Sequence, residues 1–311
     1  MARRPFRFGV QLSAASDAKA WADQARAAED LGYSTLQVPD HFGDQWAPVV
    51  ALTAAAIATT SVRVGALVFA NDYRHPAVLA REMATLDVVS QGRLELGIGA
   101  GWLRADYDQH GLAYDRPGVR VERLEEAVRV VKALWGGGPV SFDGRHYRLR
   151  DARCLPPTVQ RPHPPVMVAG GGRRVLGVAA READIVGFNT SLAAGRVGSE
   201  TARAAVVERF RERVAWVREA AGERFEGLEL HCHTALCLVG VDPRATAELL
   251  APGFGVAPDE ALEVPIALVG SVEQICHTLE RRREELGFSY WTVPGDALNA
   301  FAPVVARLTG R

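Results

Sequence analysis

Residues 62–107 constrain the fold more than any other stretch. The run VRVGALVF leads through the turn ANDYRHP into a helical pattern from Pro76 to Ser90, and the chain then returns as RLELGIG before AGWLRADY. Both runs are mainly apolar rather than alternating, as strands covered on both faces are, and the helix between them makes a parallel β-α-β unit. Within that helix Leu79, Met83 and Leu86 share one face, Pro76 suits the first turn and Gln91-Gly92 ends it. Parallel sheets gather their ligands on the loops that follow the strands, so the segments after each apolar run are where function is sought.

The same unit recurs along the chain. FRFGVQL (6–12) precedes a helix begun by Ser16-Asp17, with Trp21, Ala25, Ala28 and Leu31 at helical spacing, and stopped at Gly32. STLQV (34–38) precedes a loop and the alanine-rich helix 48–60. Past the opening unit, Val121, Leu124, Val128, Val131 and Trp135 mark a helix broken by Gly136-Gly137-Gly138-Pro139. The segment after it combines an Asp-Gly turn with many prolines and predicts a hairpin and an irregular crossing. PVMVAGGG supplies a fifth strand, ADIVGF (183–188) a sixth, LELHCHTALCLVG (228–240) a long seventh and FSYWTVPG an eighth. Helices are expected over 199–220, with Val207, Phe210, Val214 and Val217 inward, and over 243–286 with breaks at Pro252, Pro258 and Pro265. Eight strands alternating with helices predict an α/β protein, an eight-stranded parallel (β/α)8 TIM barrel rather than an open doubly wound sheet. One domain over 1–311 is expected, with an irregular insertion around 136–165.

With 48% hydrophobic residues the chain has material for a large core, and its net charge of −1 leaves no basic field for nucleic acid or an anionic membrane. No apolar run is long enough to span a bilayer, and the N-terminus enters a strand pattern without a secretory core, so a cytoplasmic location with no membrane or nucleic-acid partner is expected. Cys154, Cys232, Cys237 and Cys276 lack paired spacing and predict free buried thiols.

Three groups fall at strand ends. Asp40-His41 with Trp46 follows strand two; a histidine there can exchange a proton with a bound heterocycle while a tryptophan offers a flat wall, and the plain reading is a helix cap and a loop histidine. Gly170-Gly171-Gly172-Arg173 follows strand five, where bare backbone, a helix N-terminus and a guanidinium would cradle a phosphate, against an ordinary tight turn. Neither this turn nor Gly97-Ile98-Gly99 completes a dinucleotide fingerprint. Gly99-Ala100-Gly101-Trp102, followed by Asp106 and Tyr107, leaves room for a flat ring, or merely lets a wide loop cross. His231 and His233 share a strand face with the parity of Cys237 but lack further metal ligands nearby, and read as core or rim residues. Glu280 to Glu285 reads as a solvated helix face.

Together, PDHF, VGALVFANDYRHPAVLAREMATLDVVSQGRLELGIGAGW, LPPTVQRPHPPVMVAGGG and READIVGFN resemble the luciferase-like monooxygenase superfamily, in particular its bacterial oxidoreductases that use the deazaflavin coenzyme F420. The resemblance implies a barrel, usually a homodimer, with a tricyclic ring deep in its mouth. It implies that Ala66, Leu67 and Val68 back the ring through a bulge with a non-proline cis peptide, that His41 sits near the reacting edge with Trp46 beside it as a second catalytic candidate, and that Gly170, Gly171, Gly172 and Arg173 hold phosphate. Asp40, Asn71, Ala100, Gly101, Trp102, Ala169, Asn189 and Thr190 complete the implied cofactor-binding set. The sugar-phosphate dehydrogenases of the superfamily have an acidic glutamate where this chain has Trp102, and a phosphate-gripping lysine after strand six where it reads Phe188-Asn189-Thr190-Ser191. Sugar-phosphate oxidation is therefore not expected.

The expected function is hydride transfer between coenzyme F420 and a small uncharged organic substrate, reducing C=C or C=N, with His41 steering a proton. The alternative is an FMN-dependent two-component monooxygenase served by a separate flavin reductase. A catalytically silent binding barrel and a metal-dependent hydrolase are the other classes weighed.

Overall fold

A computed structural model describes residues 4–192 and 194–311. Eight parallel strands close a barrel: β1 Arg7–Gln11, β2 Thr35–Val38, β3 Arg63–Ala66 resuming as Phe69–Ala70, β4 Leu94–Gly99, β5 Val166–Gly170, β6 Ile185–Phe188, β7 Glu229–His233 and β8 Phe288–Pro294. Closure comes from the register Arg7↔Tyr290 between β1 and β8, while β3 pairs with β4 at Val64↔Leu94. Every residue of β4 is buried, as a strand with helices outside and packed side chains inside requires. The (β/α)8 barrel expected from the alternating pattern is what the chain forms.

The helices follow their sequence signals. Asp17 caps Ala18–Asp30 by accepting the Ala20 N–H at 2.8 Å, and Trp21, Ala25 and Ala28 face the core. Pro76 opens Pro76–Val89, whose Leu79, Met83 and Leu86 are buried, and Gly92 follows at φ +83°. Pro117–Trp135 buries Leu124, Val128, Val131 and Trp135. The excursion after it is a hairpin, Val140–Asp143 with Arg148–Ala152, as the Asp-Gly turn predicts. Glu126 holds that turn by accepting the N–H groups of Arg145, His146 and Tyr147. Asp87, buried in Pro76–Val89, pins the proline-rich crossing through the N–H groups of Val159 and Gln160 at 2.6 and 3.0 Å.

Four local expectations need correction. The long seventh strand divides: β7 stops at His233, and Leu236–Val239 leaves the barrel to pair with Ala267–Gly270, a strand hidden among the proline-broken helices. The helix expected over 199–220 is a short turn Ser199–Arg203 and a longer helix Val207–Ala221, with Phe210, Val214 and Val217 buried. Pro252 lies inside Pro243–Phe254 rather than ending it. Within 280–285, Arg282 and Arg283 are buried, not solvated. The four cysteines are free and buried, and no helix among the described residues is long and apolar enough to cross a membrane.

Glu29 makes one part of this framework acid-sensitive. Its carboxylate accepts the N–H groups of Thr60, Ser61 and Val62 at the entry to β3. Burial pushes its pKa up, but these bonds outweigh that and hold it at about 2. A depressed carboxylate stabilises the fold above its unfolded value near 4.5 and loses that contribution as pH falls toward about 2. Urea unfolding across this acid range is expected to show a decline in stability that Glu29→Gln flattens.

Candidate active site

At the C-terminal mouth of the barrel the strand ends enclose a cavity of about 380 Å³. Of the residues singled out in the sequence, Asp40, His41, Leu67, Val68, Ala100, Gly101, Trp102, Ala169, Gly170, Gly171, Gly172, Arg173, Asn189 and Thr190 line it. Three do not. Trp46 turns away and packs its ring 5.2 Å from Trp21, among the core side chains beneath the loop. Asn71 is buried with its amide donating to the Tyr147 hydroxyl at 3.1 Å. Ala66 is enclosed one residue short of the bulge, with its carbonyl against Gly97. The bulge is present, and the Leu67–Val68 peptide is cis.

On one wall, His41 meets the β4 loop. Its Nδ1 lies 2.7 Å from Asp106 Oδ2, which also accepts the Tyr73 hydroxyl at 2.9 Å, and Trp102 stands edge-on to the imidazole at 5.4 Å. A carboxylate can only accept, so Nδ1 carries hydrogen and Nε2 is the ring's open position. Burial first, and then Asp106, raise the Tyr73 pKa, so this hydroxyl stays protonated and donates. Trp102 stands where related sugar-phosphate enzymes have an acid, and the acidic Asp106 that the sequence places after strand four lies on the helix Arg104–His110, buried behind His41. Asp40 is occupied structurally, taking Arg74 on both oxygens at 2.6 and 3.2 Å and the Ala70 N–H at 3.0 Å.

Across the mouth, Gly170 to Gly172 lead into Arg173–Glu182, whose first turn has no side-chain cap. Gly171 is required there, since a Cβ would lie 2.3 Å from the Thr190 carbonyl oxygen, whereas one at Gly172 would meet open space. Bare main chain and the free N–H groups of a helix start therefore face the cavity, the arrangement that receives anions. Arg173 is the weaker half of the expectation, because its side chain is 65% exposed and paired with Glu219 at 2.9 Å. The buried cation of this wall is Arg120, 3% exposed, its guanidinium 4.1 Å over the Tyr114 ring, with Nε and Nη1 lacking hydrogen-bond partners among the described residues. Sequence reasoning passed over it, although Arg120 precedes Leu124 by one helical turn and so falls on the apolar face, where a charge is anomalous.

The luciferase-like monooxygenase family matches residues 4–290. The chain belongs to the luciferase-like monooxygenase family. Among curated members of that family it is 36% identical over 192 residues to an F420-dependent glucose-6-phosphate dehydrogenase of Kineococcus radiotolerans, covering 58% of this chain and 56% of the relative. It is 31% identical over 127 residues to an FMNH2-dependent dimethylsulfone monooxygenase of Pseudomonas putida, covering 41% and 35%. The chain thus spans about half the length of these F420-dependent curated relatives. Its fold superposes on a coenzyme F420-dependent tetrahydromethanopterin reductase of Methanopyrus kandleri with a TM-score of 0.80 at 18% identity, covering 98% of this chain and 100% of that one.

Proposed function

We propose that the protein transfers hydride between coenzyme F420 and a small uncharged organic substrate, in the direction that reduces C=C or C=N. The observation that carries this reading is one cavity with an anion-receiving wall, Gly170 to Gly172 plus Arg120 with its Nε and Nη1 unpartnered, opposite an oriented proton carrier, His41 backed by Asp106. A flat redox coenzyme with a phosphate on its chain fits that separation of functions, and the buried orphan nitrogens of Arg120 lack a partner that a phosphate would supply. Leu67, Val68, Ala100 and Gly101 would flank the ring, while Asn189 and Thr190 line the side nearer the phosphate.

When bound, the reduced deazaflavin supplies the hydride. His41 holds the proton that completes the reduction at Nε2, and Asp106 fixes the ring and balances its charge as that proton moves. Trp102 and Phe69 help to exclude water from the mouth, and Tyr73 holds Asp106 in place. The outward valines and isoleucine of the second and third helices, Val50, Ile57, Val78 and Val88, offer apolar surface for the homodimer that belongs to this reading.

Fluorescence titration of purified protein with F420 and with FMN tests the choice of coenzyme. Tighter binding of F420 is expected, and tighter binding of FMN would move the assignment to the two-component monooxygenases. His41→Ala is expected to keep coenzyme affinity while turnover falls about 10²- to 10⁴-fold, the usual contribution of positioned acid-base catalysis. Full turnover in that variant removes the role given to His41.

A further inference from the structure

The inner side of the cavity carries a feature that neither the phosphate wall nor the His41 wall uses. His231 and His233, two apart on β7, both line the cavity, and each has one ring nitrogen, Nδ1 of His231 and Nε2 of His233, that is buried without a hydrogen-bond partner among the described residues. A buried polar atom left unpaired is destabilising, so two on one strand face of a ligand cavity mark a place that a ligand completes. No group of three or more His, Cys, Asp or Glu that could hold a metal occurs among the described residues, so the partner sought is organic.

The surrounding bonds set the polarity of this face. Thr292 Oγ1 lies 2.6 Å from Gln37 Oε1 and 2.8 Å from His231 Nε2. A hydroxyl has one hydrogen; donated to the Gln37 carbonyl oxygen, it leaves the threonine oxygen to accept from His231 Nε2–H. The neutral ring then has its lone pair at Nδ1, the unpartnered atom. Burial lowers the pKa of His231 well below the ordinary histidine value and pushes His233 to about 4, so both rings are neutral at neutral pH and offer no charge to an anion. Tyr290, 4.5 Å away edge-on, walls the His231 ring from the opposite side.

We propose that His231 and His233 form the substrate-recognition face of the cavity, with His231 Nδ1 accepting a hydrogen bond from a hydroxyl or N–H group of an uncharged substrate. Thr292 and Gln37 are positioning residues, which fix the tautomer of His231 without touching the ligand. This deepens the hydride-transfer reading and rests on it: the substrate is a neutral molecule that carries a hydrogen-bond donor near the bond being reduced, and the polar inner face selects it from purely apolar analogues of the same size.

The test uses the full-length, coenzyme-loaded protein with phenol and its methyl ether, anisole, as matched probes that differ in the donor. Nitrogen NMR of ¹⁵N-histidine-labelled protein is expected to show His231 neutral and protonated at Nε2, with its Nδ1 resonance moved by phenol and unmoved by anisole. His231→Phe is expected to weaken phenol about tenfold, as loss of one hydrogen bond implies, and to leave anisole and coenzyme affinities unchanged. Should that variant fold poorly, Thr292→Val serves instead: it is expected to abolish the phenol preference, and Thr292→Ser to restore it. A charged His231, a ring protonated at Nδ1, or equal responses to phenol and anisole would overturn the proposal. Coenzyme titration of the same samples separates this outcome from failure of the hydride-transfer reading, which shows as absent coenzyme binding.

Discussion

Arg120→Met is expected to raise the melting temperature of the ligand-free protein and, in the same molecule, to weaken F420 binding about 100-fold, two decades at about 1.4 kcal/mol each. The opposite signs follow from one fact. Arg120 is buried at 3% exposure with two guanidinium nitrogens unpaired, and the Tyr114 and Tyr107 rings, at 4.1 and 5.8 Å, compensate part of its desolvation. Methionine fills similar volume without that penalty, so the empty barrel gains. A phosphate lying between Arg120 and the start of Arg173–Glu182 would restore the missing charge-assisted bonds, each worth roughly 1.5–3 kcal/mol, and the variant forfeits them. Arg120→Lys keeps the charge without the planar fork and should fall between the two. Scanning fluorimetry of the ligand-free protein and fluorescence titration with the coenzyme give the two readouts. A lower melting temperature with unchanged affinity would make Arg120 an ordinary structural residue and leave the phosphate wall to the glycine turn alone.

The contrast between Arg173 and Arg120 shows which parts of the site the sequence could reveal. The glycine turn was legible because its chemistry is local: three residues without side chains at a strand end expose backbone wherever the strand sits. Arg173, adjacent in sequence, was read with it, yet a side chain at a helix start can swing outward, and Glu219, 46 residues away, captures it. Arg120 reaches the cavity, and Asp106 reaches His41 behind it, from helices, so their roles depend on helix packing that no window of sequence contains. Trp46 failed for the same reason, since its neighbour Trp21 belongs to the first helix. The barrel itself was legible because strands buried on both faces are largely apolar; all six residues of β4 are buried, and its one charged residue, Glu95, is paired with Arg7 and Arg63. Where the chain leaves the barrel the signal is lost: Leu236–Val239 and Ala267–Gly270 are apolar like barrel strands, and only their pairing with each other separates them. The polar inner face at His231 and His233 was visible as parity on one strand, but its value as a recognition surface depends on Thr292 and Gln37 from two other strands.

Arg282→Met is expected to destabilise the protein by about 4 kcal/mol, within the 3–5 kcal/mol typical of breaking a buried charged network, and to lower its melting temperature by roughly 10 °C. The helix Val272–Leu286 aims this guanidinium, 1% exposed, at four main-chain carbonyls: Pro265 and Ala267 receive Nη1 at 3.2 and 3.0 Å, Leu262 and Val264 receive Nη2 at 2.9 and 3.1 Å. Val264 O also accepts the Ala267 N–H at 3.0 Å, and the guanidinium adds a charged donor to all four oxygens, so one side chain gathers this loop much as a sheet ladder does elsewhere. Methionine matches the length and the burial and removes all four guanidinium bonds, taking from these buried carbonyls the charged donor they share. Unlike Arg120, Arg282 has both terminal nitrogens hydrogen-bonded, and the same substitution must therefore carry the opposite sign in the ligand-free protein. Coenzyme affinity should not change, because Arg282 lies outside the cavity lining. Urea unfolding gives the loss of stability, and amide exchange at residues 262–267 should accelerate selectively. A loss below about 1 kcal/mol, the worth of a single ordinary hydrogen bond, would show that water replaces the guanidinium and that the loop does not depend on it.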